Sequence, residues 1–146
     1  LLGGGMAGRL FVELRDKKAL AYTAASYYDP TREPGTLVLY LGTAPENADR
    51  AERGLKEEIE RVRTAAVSNP ELRRAKAYLL GRYAMDRRTN ERQAWYMAFY
   101  ETVRAPRDFA QRYEKAVEAV TTDDVLRIAR SILGDPTVLV LRPPSR

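Results

Sequence analysis

The run from Gly3 to Gly8 (GGGMAG) has the spacing of a dinucleotide-binding loop. It matches the pattern G-x-G-x-x-G, and Asp29 follows at about the distance, roughly 20 residues, at which such folds place an acid for the ribose. The surrounding sequence does not fit this chemistry. The loop must follow a strand, yet only two residues precede it, and Asp29 is followed by Pro30 within a stretch of turn-forming residues. The sequence therefore argues against a nucleotide site.

The chain has no histidine and no cysteine, two residues that often take part in catalysis or metal binding. Histidine is the commonest metal ligand and the commonest general base near neutral pH. The lack of cysteine excludes disulfides and thiolate metal sites but leaves the redox compartment open. A metal site in this chain would need oxygen ligands alone. We therefore predict that the chain holds no metal and no cofactor of its own.

The net charge of +5 admits two interpretations. Arginine dominates the basic residues, which fits a nucleic-acid binder, but acidic and basic residues interleave, as in Glu57-Glu58-Ile59-Glu60-Arg61. Interleaved charges are typical of a solvated helix face with i,i+4 ion pairs. We therefore expect no nucleic-acid partner. We also expect no membrane partner, since no apolar run approaches the length that spans a bilayer.

The helices and strands that the sequence predicts, and that must position any site, indicate an α+β fold. The 146 residues suit one domain, 1–146, with an antiparallel or mixed sheet packed against several helices. Three strands are few for so many helices, so we expect a strand and a helix of the domain to be missing before Leu1. The prediction, in chain order, is a helix over 7–18, a strand hairpin of 22–28 and 36–41, helices beginning near residues 44, 70, 91, 106 and 122, and a last strand over 137–141.

Several local features carry further expectations. The strand over 36–41 is almost continuously apolar, which predicts burial on both faces. Thr43, Ser68 and Thr121 are each followed three residues later by an acid, the sequence signature of a capping box. In the last helix, helical spacing predicts that Ile128 and Ile132 point inward together with Val125.

The first block of the chain resembles the C-terminal-type domain of the pitrilysin family of zinc metallopeptidases. That family includes insulin-degrading enzyme and the mitochondrial processing peptidases, and its bacterial members typically read L-G-G-G-M-S-S-R-L-F-x-x-L-R-E-x-x-G-L-A-Y. This chain reads LGGGMAGRLFVELRDKKALAY over residues 2–22, with Ala19 in place of the family glycine. The segments GTAPEN (42–47) and VTTDDV (120–125) resemble two further family segments. The similarity therefore runs along nearly the whole chain.

The resemblance implies which residues take part in catalysis. In the family, zinc and a catalytic glutamate come from an H-x-x-E-H helix in an N-terminal-type domain. The C-terminal-type domain faces it and supplies an arginine and, seven residues later, a tyrosine. Arg15 and Tyr22 stand at that spacing, so the resemblance implies that they reach the zinc site of a partner domain or subunit. The implied substrate is a peptide or unfolded protein, and Gly3, Gly4 and Gly5 are implied to contact it.

Each of these assignments has a structural alternative. Spacing alone does not distinguish Arg15 from a solvated helix residue, or Tyr22 from a strand tyrosine half-buried against a helix. The three glycines equally suit a flexible linker. Tyr27 and Tyr28 suit the wall of a peptide chamber, but core packing is expected for at least one of them because strand neighbours alternate faces. The chain as a whole has an alternative too, since the family includes non-catalytic scaffold subunits.

Overall fold

The protein adopts an α+β fold, as the sequence predicts. The computed structural model describes residues 1–29 and 35–142. The predicted turn at residues 30–34 lies outside these ranges. In chain order the elements are a π-helix, Leu10–Lys17; strand β1, Thr23–Asp29; strand β2, Thr36–Gly42; a 3₁₀ turn, Pro45–Asn47; and helices α1, Ala48–Thr64, α2, Asn69–Asp86, α3, Asn90–Thr102, α4, Phe109–Ala119, and α5, Thr122–Ile132.

The two strands form an antiparallel hairpin, which confirms the predicted pairing. Thr23 lies opposite Gly42, and Tyr27 lies opposite Val38. The prediction that β2 is buried on both faces is wrong. Val38 and its neighbour Tyr40 are exposed, while the leucines that alternate with them are half-buried, as in a sheet covered on one face only.

The first helix is shorter than predicted and is wound as a π-helix. It ends where the amide of Lys18 donates to the carbonyl oxygen of Glu13, five residues earlier, over 3.2 Å. Leu10 and Leu14 are fully buried on its inner face. Apolar residues three and four apart indicated a helix correctly, but this spacing does not reveal the wider π winding.

Of the three predicted helix caps, the structure confirms two as helix starts. Ser68 accepts a hydrogen bond from the amide of Glu71, and Thr121 forms a complete capping box with Asp124. The prediction for Thr43 is wrong. Its hydroxyl instead donates to the carbonyl oxygen of Leu20 over 2.5 Å, and the chain enters α1 through the 3₁₀ turn. A tertiary hydrogen bond to Leu20 has replaced the local cap, in which the hydroxyl would accept from an amide of its own helix.

The main part of the core lies where the π-helix, α1 and α5 meet, and further buried residues lie on α2 and α4. Helix α1 contacts both the π-helix and α5, and the π-helix also contacts β1. In α5 the inward prediction is wrong for Ile128 and Ile132, which are exposed, the latter by 61%. The buried apolar residues are Leu10, Leu14, Leu20, Ala51, Val62, Val67, Leu72, Val117 and Ala129.

The predicted strand over 137–141 is absent from the described part of the chain. This segment pairs with neither β1 nor β2, and Leu139 and Leu141 are 80% and 87% exposed. A strand requires a partner edge to satisfy its backbone groups, so apolar sequence alone does not make one. After the segment, Arg142 pairs with Asp49 at the start of α1, with 2.6 Å between Nη2 and Oδ1.

In the described ranges, none of the helices combines the length and the apolar character that a membrane span requires.

Candidate active-site residues of the domain

The π-helix presents Arg15 to solvent on the side away from the core. Leu10 and Leu14 hold the inner face, whereas Arg15 is exposed. Its guanidinium carbon lies 4.5 Å from the centroid of the Phe11 ring, one helical turn earlier. The structural alternative of a solvated helix arginine is consistent with this exposure, and so is a role in contacting a ligand.

Ion pairs hold this helix to its neighbours. Arg9 donates from Nε and Nη2 to the two carboxylate oxygens of Glu71 in α2, over 2.6 and 2.9 Å. These bonds hold the pKa of Glu71 below its usual value, and a bidentate pair of this kind fixes geometry as well as charge. At the other end of the helix, Lys18 pairs with Glu57 of α1 over 2.7 Å.

The backbone between the two candidate residues makes a left-handed turn. Ala19 has φ of +50°, and its amide donates to the carbonyl oxygen of Arg15 over 3.1 Å. Leu20 is then buried, and the amide of Tyr22 donates to the carbonyl oxygen of Gly42 over 2.8 Å. The Tyr22 side chain is 75% exposed, so the alternative of a tyrosine half-buried against a helix is wrong.

The glycine run packs closely against β1 and α2, which disagrees with the flexible-linker alternative. The amide of Gly3 donates to the hydroxyl of Ser26 over 3.0 Å, and a methyl group on Gly3 would stand 2.1 Å from the backbone nitrogen of Ser26. Gly5 has φ of +94°, and the ring of Tyr78 lies across Gly4 and Gly5. Sequence patterns missed Ser26 and Tyr78, because both contacts join segments far apart in the chain.

Neither strand tyrosine packs in the core. Tyr27 and Tyr28 are 59% and 63% exposed, so the prediction that at least one of them is a core residue is wrong. The two-stranded sheet has Tyr27 on the same face as the exposed Tyr40, and Tyr28 on the opposite face. Exposed tyrosines therefore lie on both faces of the hairpin.

Helix α3 carries aromatic residues that pack mainly on one another. Trp95 stacks on Phe99 with 5.1 Å between ring centroids, while Trp95 itself remains half exposed. The guanidinium of Arg87 lies over Tyr83 and Tyr96, 3.7 and 4.3 Å from their centroids. The sequence predicted core and interface positions for the α3 aromatics. The structure gives a side-chain cluster in which no α3 residue is fully buried.

Carboxylates in the described ranges are not gathered into a metal-binding cluster. Many of them pair with basic side chains on their own helix, as Glu52 does with Lys56 and Glu60 with Arg63. These i,i+3 and i,i+4 pairs are the charge pattern that the interleaved sequence predicts. Glu58 also pairs with Arg61 of its own helix, which donates to its Oε1, but Glu58 is only 1% exposed, and burial raises its pKa.

Comparison with known proteins identifies the family. The family described as Peptidase M16 inactive domain matches residues 1–79, which is more than half of the chain. The chain therefore belongs to the M16 inactive-domain family, and this confirms the resemblance to the non-zinc domain of pitrilysin-like peptidases.

The relatives by sequence are named zinc proteases. A protein of Rickettsia felis named an uncharacterized zinc protease is 29% identical over 153 residues, covering 99% of this chain and 35% of that protein. One of Streptomyces coelicolor with the same description is 28% identical, covering 97% and 31%. The chain thus spans about a third of the length of these relatives.

Solved structures share the fold at lower identity. A protease from Helicobacter pylori has a TM-score of 0.80 at 22% identity, covering 92% of this chain and 33% of that chain. A peptidase M16 inactive domain from Pseudomonas fluorescens has a TM-score of 0.70 at 20% identity, covering 89% and 31%. These likenesses confirm the α+β fold of an M16 inactive domain.

Proposed function

We propose that this chain is the non-zinc half of a zinc metalloendopeptidase. It binds an extended peptide and supplies Arg15 and Tyr22 to a zinc site held by another domain or subunit. The observation that carries the proposal is the display of both side chains to solvent, on a helix and a strand end whose backbones are fixed by buried leucines and hydrogen bonds. The family membership and the names of the relatives support the same proposal.

The two side chains suit two different tasks in peptide hydrolysis. A zinc ion held by the partner supplies Lewis-acid polarisation of the scissile carbonyl group. The Tyr22 hydroxyl donates a hydrogen bond to the carbonyl oxygen, and this bond strengthens as negative charge grows there. The Arg15 guanidinium holds a substrate carbonyl with a fixed fork of donors. Neither task requires the group to change its protonation state, which suits a domain without histidine.

The glycine run and the hairpin extend the proposal to substrate binding. Gly3 lies against β1, the strand that Tyr22 precedes, because its amide donates to the hydroxyl of Ser26, and Gly4 and Gly5 follow beside Tyr78 of α2. A peptide in extended conformation can add to an exposed sheet edge through its main chain, and the exposed Tyr27 and Tyr28 offer side-chain contacts there. Several acidic side chains pair with basic ones on the same helix, as Glu52 does with Lys56, and such interleaved charges favour a peptide over a nucleic acid as partner.

The proposal is tested by separating the chain from its zinc-bearing partner. The purified chain should show no zinc-dependent hydrolysis of an unstructured fluorogenic peptide and should retain no zinc after dialysis. The assembled peptidase, containing both halves, should hydrolyse the peptide and lose activity on chelation. Chelator-sensitive hydrolysis by the chain alone would contradict the proposal that the zinc site lies on another domain or subunit. An assembled protein that binds zinc but hydrolyses no peptide would favour a non-catalytic scaffold instead.

A further inference from the structure

The guanidinium of Arg15 rests against an aromatic ring rather than a carboxylate. Its central carbon is 4.5 Å from the Phe11 centroid, well inside the range of a cation–π contact. Two acids, Glu13 and Asp16, are close to Arg15 in sequence, yet Arg15 forms no ion pair within residues 1–29 and 35–142. Glu13 pairs with Lys17 instead, over 2.7 Å. Arg15 therefore contacts the Phe11 ring and no carboxylate among the described residues.

A ring contact has a different consequence from an ion pair. The guanidinium is planar, and its N–H donors lie in that plane. A carboxylate partner occupies those donors, whereas a ring stacked on the face of the guanidinium leaves its donor edge open. Stacking also restricts the rotamers of a side chain that otherwise loses conformational entropy when substrate fixes it. Phe11 thus restrains Arg15 without consuming the hydrogen bonds that a substrate carbonyl needs.

The Phe11 ring is carried by the π-helix, whose backbone is held against the core. Phe11 is half-buried, and its neighbour Leu10 is fully buried, as is Leu14 at the next turn. The salt bridge between Arg9 and Glu71 ties the start of the same helix to α2. The backbone that carries Phe11 is therefore held at several points, so the position of the ring is set by the core.

The other arginine–aromatic contacts differ from this one. Arg87 lies over Tyr83 at 3.7 Å, but it is part-buried and donates to the hydroxyl of Tyr100. Arg92 lies over Trp95 but is also paired with Asp86, and its donors are engaged. Arg82 lies over Tyr78 at 5.9 Å and donates to the hydroxyl of that residue. Arg15 combines a close ring contact with an exposed side chain that has no carboxylate partner among the described residues.

We infer that Phe11 is the positioning residue for Arg15, holding the guanidinium plane so that its donor edge meets the substrate. This inference rests on the proposed function, because it assigns to Phe11 an effect exerted through Arg15. Phe11 itself is not placed in contact with substrate. Pre-orientation of this kind lowers the entropy that must be lost when substrate binds.

The test is a double-mutant cycle in the assembled peptidase, comparing Phe11→Leu, Arg15→Ala and the double variant by kcat/KM. Leucine keeps an apolar side chain but lacks the ring, so Phe11→Leu should lower kcat/KM about two- to five-fold, the size of an exposed cation–π contact. Phe11→Tyr keeps the ring and should restore the wild-type value. In the Arg15→Ala background, Phe11→Leu should cause no further loss.

Two results would overturn the inference, and they are distinguishable. If the losses of Phe11→Leu and Arg15→Ala multiply, Phe11 acts independently of Arg15, and the proposed function stands without this assignment. If Arg15→Ala leaves kcat/KM unchanged, the proposed function itself fails for Arg15 and the inference fails with it. Thermal unfolding of each variant identifies any loss that comes from unfolding, and Phe11→Met, which also lacks the ring, takes the place of Phe11→Leu in the cycle if the leucine variant is unstable.

Discussion

The backbone amide of Ala19 donates to the carbonyl oxygen of Arg15 over 3.1 Å, in a turn where Ala19 has φ of +50°. This bond ends the helix that carries one candidate residue and directs the chain toward the other, Tyr22. The left-handed conformation costs an alanine about 1–2 kcal/mol, because its Cβ crowds the following carbonyl group. Glycine, which the related family motif has at this position, adopts it without that cost.

Replacing Ala19 by glycine should therefore stabilise the protein by about 1 kcal/mol. The matched control is Ala77→Gly, the same substitution at an exposed position inside α2, which should destabilise by about 1 kcal/mol. Urea unfolding of the purified chain measures both. Equal destabilisation by the two substitutions would contradict a left-handed turn at Ala19.

The glycine run offers a second test of packing. A methyl group on Gly3 would stand 2.1 Å from the backbone nitrogen of Ser26, and backbone cannot move aside as a flexible side chain does. Gly3→Ala should therefore destabilise by about 1–3 kcal/mol, as overpacking does. Gly81 in α2 is the control, since nothing lies within 4 Å of its added methyl group. Gly81→Ala should stabilise by about 0.5–1 kcal/mol.

Thermal unfolding distinguishes the two glycines directly. The melting temperature should fall for Gly3→Ala and rise for Gly81→Ala. A Gly3→Ala variant as stable as the wild type would show that the run is not fitted against β1, and the flexible-linker alternative would then return.

Two carboxylates should give opposite pH dependences of stability. The Arg9 pair lowers the pKa of Glu71, so Glu71 stabilises the fold above its ordinary pKa, and this contribution is lost as pH falls through the lowered value. Burial raises the pKa of Glu58, so its ionisation destabilises the fold as pH rises through the raised value. Glu71→Gln should therefore weaken the fold at neutral pH, whereas Glu58→Gln should leave it as stable or make it more stable.

Urea titrations from acid to neutral pH measure both effects. For Glu71→Gln, the loss relative to wild type should shrink toward acid pH, where the wild-type carboxyl is protonated as well. For Glu58→Gln, any gain should grow as pH rises above the ordinary pKa of a glutamate and should be complete above the raised pKa of Glu58. A large loss of stability in Glu58→Gln at neutral pH would mean that its contact with Arg61 outweighs its desolvation.

Local patterns predicted the elements whose cause is local. The antiparallel hairpin followed from two apolar runs separated by turn formers, and Ser68 and Thr121 cap helices as their spacing indicates. The failures have non-local causes. Residues 137–141 are apolar enough for a strand but lack a paired edge, and the hydroxyl of Thr43 finds Leu20, 23 residues away, instead of its own helix.

The candidate site was predicted in part only. Arg15 and Tyr22 came from the family motif, since an arginine and a tyrosine seven residues apart carry no information by themselves. The contact of Arg15 with Phe11 follows i,i+4 spacing on a helix, so it was predictable from the sequence in principle. The packing of the glycine run against Ser26 and Tyr78 joins segments that are far apart in the chain, so no short sequence pattern encodes it.

The catalytic role of Tyr22 is tested most directly by kcat of the Tyr22→Phe variant in the assembled peptidase. The substitution removes one hydroxyl from a side chain that is 75% exposed, so the fold should be unaffected. Tyr113→Phe in α4 controls for the loss of a tyrosine hydroxyl elsewhere. The account predicts that kcat falls about 10²–10³-fold for Tyr22→Phe, as for other lost oxyanion donors, and stays unchanged for the control. Wild-type kcat in Tyr22→Phe would contradict it.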